Sequence, residues 1–182
     1  QCSPIIHKCL KSIVTCSIAH MDRVVSLIFN KKRTKILLVK RRDYPIWVMP
    51  GGGIEKDETP EKATVRETFE ESGFNVKIVR KIAKYSSGGG RTSHFYLCKT
   101  VSGKATISKE SSKVLFFNPK HLPHPISPFI ANYLYDFDKN RGMVIKKSSP
   151  KLSRLDIAKF IIFYPLISIR FLLTKIGIRI NT

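Results

Sequence analysis

The sequence predicts an α/β fold, and three observations carry that expectation. Short apolar, β-branched runs of strand length recur through the first two thirds of the chain. Two intervening segments, residues 60–72 and 128–137, carry helix-end signals or helical spacing of apolar residues. Glycine-, proline- and lysine-rich turns separate them. At 182 residues, 42% hydrophobic and 10% aromatic, the chain suits one globular domain with a substantial core.

Arg23–Asn30 (RVVSLIFN) and Lys35–Lys40 (KILLVK) are strand-like, and the turn Lys31-Lys32-Arg33-Thr34 between them predicts a hairpin. Trp47-Val48-Met49 is a short strand running into Pro50 and three glycines. A helix follows over residues 60–72, about three and a half turns long. Thr59 is its expected N-cap, Pro60 occupies the first position where a missing N–H is harmless, and Glu61 suits the positive helix start. Gly73 suits the position after the helix, where φ is usually positive. Asn75–Tyr85, His94–Val101 and Lys113–Asn118 are strand-like, with the loop Ser86–Arg91 between the first two. Phe129, Ile130, Tyr133, Leu134 and Phe137 place one apolar face on a second helix over Pro128–Phe137. Residues 1–20 read as an N-terminal extension (a tag, an upstream extension or a processed remnant) without a signal-peptide pattern, and Met21 would serve as a natural start. Residues 21–140 are then the principal domain, and residues 141–182 a compositionally separate, basic and hydrophobic tail.

The chemistry concentrates on the first helix. Glu67, Glu70 and Glu71 stand at i, i+3 and i+4, so they share one face within about 5–6 Å of each other. Three like charges destabilise a helix unless a cation neutralises them. Mg²⁺, with carboxylate, carbonyl, water and phosphate oxygens, is the natural occupant. Such ions grip an in-line displacement at phosphorus and help deprotonate the attacking water. Gly51, Gly52 and Gly53 allow close approach of backbone to phosphate. A solvated acidic face paired with Lys62 and Arg66 is the bland alternative. The fixed offsets of glycines, Arg66-Glu67, Glu70-Glu71 and Gly73 argue against it.

Gly52 to Phe74 resembles the Nudix box, the 23-residue signature of the Nudix hydrolases, with every required Gly, Glu and Arg present. Thr68 stands where the family usually has an aliphatic residue, which is a packing matter. The surrounding strands extend the resemblance over roughly residues 23–138. The resemblance implies an α/β/α sandwich around a mixed β-sheet. It also implies roles: Glu67 and Glu71 ligating Mg²⁺ or Mn²⁺, Glu70 as ligand or general base, the Gly51 carbonyl completing the metal site, and Arg66 and Glu58 bracing helix and loop. Some members take the base from a later loop, where Glu110 is the candidate. The stretch Trp47 to Glu55 is similar to that of diphosphoinositol and diadenosine polyphosphate phosphohydrolases. In that subgroup the preceding strand end contacts substrate phosphates. This puts Lys40, Arg41 and Arg42 with Gly51, Gly52 and Gly53 at the substrate, with Arg91 and His94 as additions.

The implied activity is Mg²⁺-dependent cleavage of a phosphoanhydride in a nucleoside diphosphate derivative, a dinucleoside polyphosphate or a diphosphoinositol polyphosphate. Thirty-three Lys and Arg against thirteen Asp and Glu give a formal charge of +20, which concentrates polyanions. That charge also motivates an RNA 5′-pyrophosphohydrolase or decapping reading, although the chain lacks an aromatic-rich RNA module. A non-catalytic nucleotide- or lipid-binding module is the third alternative, and the intact acidic constellation argues against it.

In the tail, Phe160–Ile169 (FIIFYPLISI) is too short to span a bilayer, and Pro165 would kink a helix there. The segment is expected either to anchor at an anionic membrane surface or to pack on the domain or a partner subunit. Cys2, Cys9, Cys16 and Cys98 match neither a zinc spacing nor a disulfide framework and read as small apolar fillers in a reducing cytoplasm.

Overall fold

The computed structural model describes residues 21–86, 90–139, 145–148 and 154–175. Residues 1–20, with Cys2, Cys9 and Cys16, and Gly88 and Gly89 of the glycine loop lie outside the described residues. In chain order the elements are β1 (Arg23–Ile28), β2 (Ile36–Arg41), β3 (Trp47–Val48), α1 (Pro60–Ser72), β4 (Phe74–Ser86), β5 (Thr92–Gly103) and β6 (Ser111–Phe117). After them come α2 (Phe129–Lys139), β7 (Ile145–Ser148), α3 (Arg154–Phe163) and α4 (Pro165–Lys175).

The strands form two sheets. One is mixed, in the order β1-β5-β4-β7, with β1 parallel to β5, β4 antiparallel to β5 and β7 parallel to β4. The other is antiparallel, in the order β3-β2-β6. The hairpin expected between β1 and β2 does not form along the strands, which lie in different sheets. The turn is present: the Asn30 carboxamide oxygen accepts from the N–H groups of Thr34 and Lys35, and Phe29 bridges Ile36. Beyond that bridge the strands part, one into each sheet. Both are buried on two faces, and that explains their continuous apolar runs. Along β2, Ile36 and Leu38 point into a cluster with Leu27, Phe95 and Ile130, while Leu37 and Val39 point into another with Val24, Ala63 and Tyr96. The first cluster is closed by α2, through Ile130, Tyr133 and Phe137, and the second by α1, through Ala63.

Helix α1 begins and ends where its local signals place it. Thr59 Oγ1 accepts from the Lys62 N–H at 3.3 Å, a cap worth about 1 kcal/mol. Gly73 sits in the left-handed region at φ 75°, its N–H donating to the Phe69 carbonyl. The buried face of α1 is small and polar: Ala63, Thr64, Thr68 and Ser72 are fully buried. The hydroxyls of Thr64, Thr68 and Ser72 each donate to the carbonyl four residues earlier. Small residues bring the helix close to β1, where Ser26 Oγ lies 2.8 Å from Thr68 Oγ1.

The tail breaks at Tyr164 and Pro165 into α3 and α4. Phe171 of α4 meets Tyr44 of the loop after β2 edge-on, ring centroids 5.3 Å apart. Of the two arrangements left open by the sequence, packing on the domain is therefore present. Among the described residues no helix is long and apolar enough to cross a membrane.

Candidate active site

The loop after β3 lies along β1. The Val24 N–H donates to the Gly52 carbonyl, and the Ser26 N–H to the Pro50 carbonyl. Gly51 is held between these two bonds, and its N–H donates to Glu71 Oε2 at 3.0 Å. Glycine is required here for two reasons. Gly51 has φ 152°, and a Cβ on it would run into the Val24 carbonyl and lie 2.9 Å from the Val25 Cα. A Cβ on Gly52 would overlap the Glu67 carboxylate. The loop and the acidic helix are thus in van der Waals contact through the groups that the sequence singles out.

The three carboxylates share a helix face, as their spacing requires, but not one environment. The Glu71 residue is 4% exposed, and burial pushes its carboxyl up to about 7, against the Gly51 N–H and the nearby Arg41 charge. Glu67 is mostly buried, and desolvation raises it too, despite its hydrogen bond from Arg66. Glu70 projects into solvent, its side chain 56% exposed. The negative charge of Glu110 raises both Glu67 and Glu71, so the loop before β6 brings a fourth carboxylate to bear on the site.

Arg66 organises the group. Its Nε and Nη2 grip both oxygens of Glu58 at 2.9 and 2.8 Å, and Nη2 also donates to the Gly53 carbonyl. Its Nη1 donates to Glu67 at 2.9 Å and to Glu70 at 3.1 Å. This planar, multi-pronged grip is available to a guanidinium and not to an ammonium. It ties the loop after β3 to α1 and holds the Glu58 carboxyl below the usual carboxylate range.

The oxygen donors fit a hard divalent cation. Glu67 and Glu71 are partly desolvated, repel each other, and flank the glycine backbone. Among the described residues no three acidic, thiol or imidazole side chains already converge on one point. Arg66 draws Glu67 and Glu70 to itself, and Gly51 holds Glu71.

The cations expected at the substrate part company. Arg41 lines the cleft with Gly51, held in a bidentate pair with Asp43 and lying 4.7 Å over the Tyr44 ring. Arg42 turns away and donates to the Ser108 carbonyl, securing the loop that carries Glu110. Lys40 is partly buried in β2, its carbonyl accepting from Ser112 Oγ. Arg91 is half-buried just before β5. His94 is 8% exposed, with Nδ1 2.8 Å from Lys81 Nζ and Nε2 3.8 Å from Asp22. Sequence reasoning passed over Asp43 and Tyr44, although an acid two residues after Arg41 is a local signal for such a clamp. It also passed over Arg23 at the start of β1, which lines the same cleft as Gly51.

The NUDIX domain family model matches residues 19–137. A Bacillus subtilis (strain 168) protein with the provisional name 8-oxo-dGTP diphosphatase is 32% identical over 138 residues, covering 73% of this chain and 91% of its own length. An ADP-ribose pyrophosphatase of Methanocaldococcus jannaschii is 33% identical over 101 residues, 51% of this chain and 60% of that protein. Diphosphoinositol polyphosphate phosphohydrolase 3-beta of Bos taurus is 38% identical over 77 residues, 41% of this chain and 47% of that protein. In fold, the chain is similar to the crystal structure of an ADP-ribose pyrophosphatase from Streptococcus suis. The TM-score is 0.60 at 24% identity, covering 70% of this chain and 99% of that one.

Proposed function

The chain belongs to the Nudix family of hydrolases, which act on phosphorus-containing acid anhydrides, and on that premise we propose that it is a Mg²⁺- or Mn²⁺-dependent pyrophosphohydrolase. Residues 21–140 form its catalytic domain. Its substrate class is a nucleoside diphosphate derivative, a dinucleoside polyphosphate or a diphosphoinositol polyphosphate, in keeping with the names of the relatives. The observation that carries this reading is the contact of the glycine loop with the two desolvated carboxylates, Glu67 and Glu71.

Glu67, Glu71 and the Gly51 main chain would hold the cation, which supplies Lewis-acid stabilisation of phosphoryl oxygens when bound. Glu70, solvent-facing and steered by Arg66, would orient the attacking water and take its proton, with assistance from Glu110, whose charge bears on Glu67 and Glu71. Arg41 directs charge at the phosphates, and the Arg66–Glu58 clamp keeps loop and helix in register. A panel of 8-oxo-dGTP, ADP-ribose, a diadenosine polyphosphate, a diphosphoinositol polyphosphate and 5′-triphosphate RNA, with Mg²⁺ and with EDTA, tests the reading. Metal-dependent turnover of a small-molecule anhydride is expected. Turnover confined to the RNA would redirect the assignment, and none at all would favour a binding module.

A specific observation also favours membrane association of the tail. At the α3–α4 elbow, Ile162, Phe163 and Leu166 are 72–75% exposed. Nine basic residues beyond position 140 face a single acid, Asp156. This composition suits a peripheral contact with anionic lipid. Co-sedimentation with phosphatidylglycerol vesicles, lost in Phe163→Ser/Leu166→Ser, is the expected result; equal sedimentation of the variant counts against it.

A further inference from the structure

Beside the glycine loop lies a cavity of about 520 Å³ that the catalytic residues do not account for. One end is cationic, with Arg23 and Arg41 next to Gly51. The rest is mostly hydrocarbon, with Val48, Met49 and Tyr133 on the domain side and Phe160, Ile167 and Phe171 on the tail side, and the hydroxyls of Ser93, Ser127 and Ser168 spaced among them. The tail therefore forms a wall of the cleft at whose charged end the phosphates of the proposed reaction would sit. Among the described residues the lining contains no Asp, Glu, Asn or Gln. Side-chain amides and carboxylates are common partners for the polar edge of a nucleobase, and base polar atoms buried without partners weaken binding. A chain of CH₂ groups needs none. The apolar walls gain by excluding water, at up to about fourfold in affinity for each CH₂ buried. The exposed apolar elbow of the same helical pair adds that this side of the molecule suits a lipid environment.

We propose that this cavity is a subsite for the hydrocarbon part of an amphiphilic substrate, an alkyl or isoprenoid-like alcohol esterified to a diphosphate whose charged end meets Gly51, Arg23 and Arg41. The proposal rests on the hydrolase reading and adds an alkyl diphosphate to its substrate classes. In the reaction, the water oxygen forms a bond to phosphorus and the bridging P–O bond breaks. The products are the alkyl phosphate and inorganic phosphate, with the proton of water passing to the carboxylate base.

The test uses the full chain and non-hydrolysable monoalkyl esters of methylenediphosphonate, with methyl, butyl and octyl chains. Dissociation constants are measured by calorimetry in Mg²⁺. Octyl is expected to bind at least a hundredfold more tightly than methyl. Replacing Ser168, which lines the cavity from α4, by Trp should fill it and reduce the octyl-to-methyl ratio below tenfold. The ratio cancels any change common to both esters. A flat series overturns the proposal, and so does a steep series that Ser168→Trp leaves intact. A hexadecyl ester carried in phosphatidylcholine vesicles, set beside free octyl ester, separates a lipid-borne source from a soluble one; binding of either above the methyl ester supports the subsite. Turnover of octyl diphosphate is followed in parallel. Steep binding without turnover of octyl diphosphate or of any substrate of the panel upholds the subsite while refuting the hydrolase reading, and turnover with a flat series does the reverse.

Discussion

Ser26 Oγ on β1 and Thr68 Oγ1 on α1 stand 2.8 Å apart, both side chains fully buried. Thr68 fills the position in the signature where the family usually carries an aliphatic residue, and Ser26 is its polar counterpart across the helix–sheet contact. Thr68→Val alone removes a partner from a buried hydroxyl and should cost about 1–3 kcal/mol. The Ser26→Ala/Thr68→Val double variant replaces both hydroxyls and should lie close to wild type. Urea unfolding of the four proteins reads the coupling. Strictly additive losses would show that the two hydroxyls do not act as a pair.

Arg66 makes five hydrogen bonds, to Glu58, Gly53, Glu67 and Glu70. An ammonium cannot reproduce that fork, so Arg66→Lys should free the carboxylates while keeping the charge. Loss of such an outer support typically weakens metal binding by about 10–100-fold. A Mn²⁺ titration followed by electron paramagnetic resonance measures it directly, and an unchanged affinity would remove Arg66 from the positioning role.

The two glycines before the helix should fail differently. In Gly52→Ala the new methyl meets the movable end of Glu67. Displacing that carboxylate by about 1 Å should cost on the order of 10²-fold in turnover with little change in melting temperature. In Gly51→Ala the methyl meets β1 backbone at a φ that suits glycine alone, and stability should fall by about 1–3 kcal/mol. Circular dichroism melts beside steady-state rates separate the two, and identical behaviour of the variants would contradict the geometry.

His94 carries a pH signature. Burial, then the Lys81 and Lys84 charges, lower its pKa, against Asp22 and Glu61, which oppose the shift. The folded protein therefore favours the neutral ring, with Nδ1 accepting from Lys81 Nζ. A depressed folded pKa gives stability that is present above the unfolded value of about 6.5 and lost as pH falls through the folded value. The slope from this residue cannot exceed one proton, about 1.4 kcal/mol per pH unit. His94→Gln should flatten the stability profile below pH 6.5, as measured by denaturant melts across pH 5–8. An unchanged slope would assign the effect elsewhere.

What the sequence made legible follows the range of the interactions. Helix α1 runs from Pro60 to Ser72 as expected, because Thr59, Pro60 and Gly73 act within one turn of themselves. Its chemistry was legible for the same reason, since i, i+3 and i+4 spacing fixes a shared face. Partner choice was not. Val25 and Leu38 are equally good strand residues, and nothing local says that β1 joins Phe95 in one sheet while β2 joins Leu115 in the other. The seat of Phe171 on Tyr44 is likewise a long-range choice between apolar surfaces. Pro165 announced the break in the tail but not the face it would cover. Arg41 and Arg42 look alike in sequence, and only the fold sends one to Asp43 and the other to Ser108.

In the proposed reaction the acidic face of α1 drives metal-assisted cleavage of a phosphoanhydride. Glu70→Gln tests it most directly, because that side chain is 56% exposed and its substitution leaves the buried contacts of the helix in place. The measurement is the Mg²⁺-dependent steady-state rate of wild type and Glu70→Gln on whichever substrate of the panel wild type turns over best. A loss of about 10²–10⁴-fold in kcat at an unchanged melting temperature is expected. Full activity in a folded Glu70→Gln protein would contradict it.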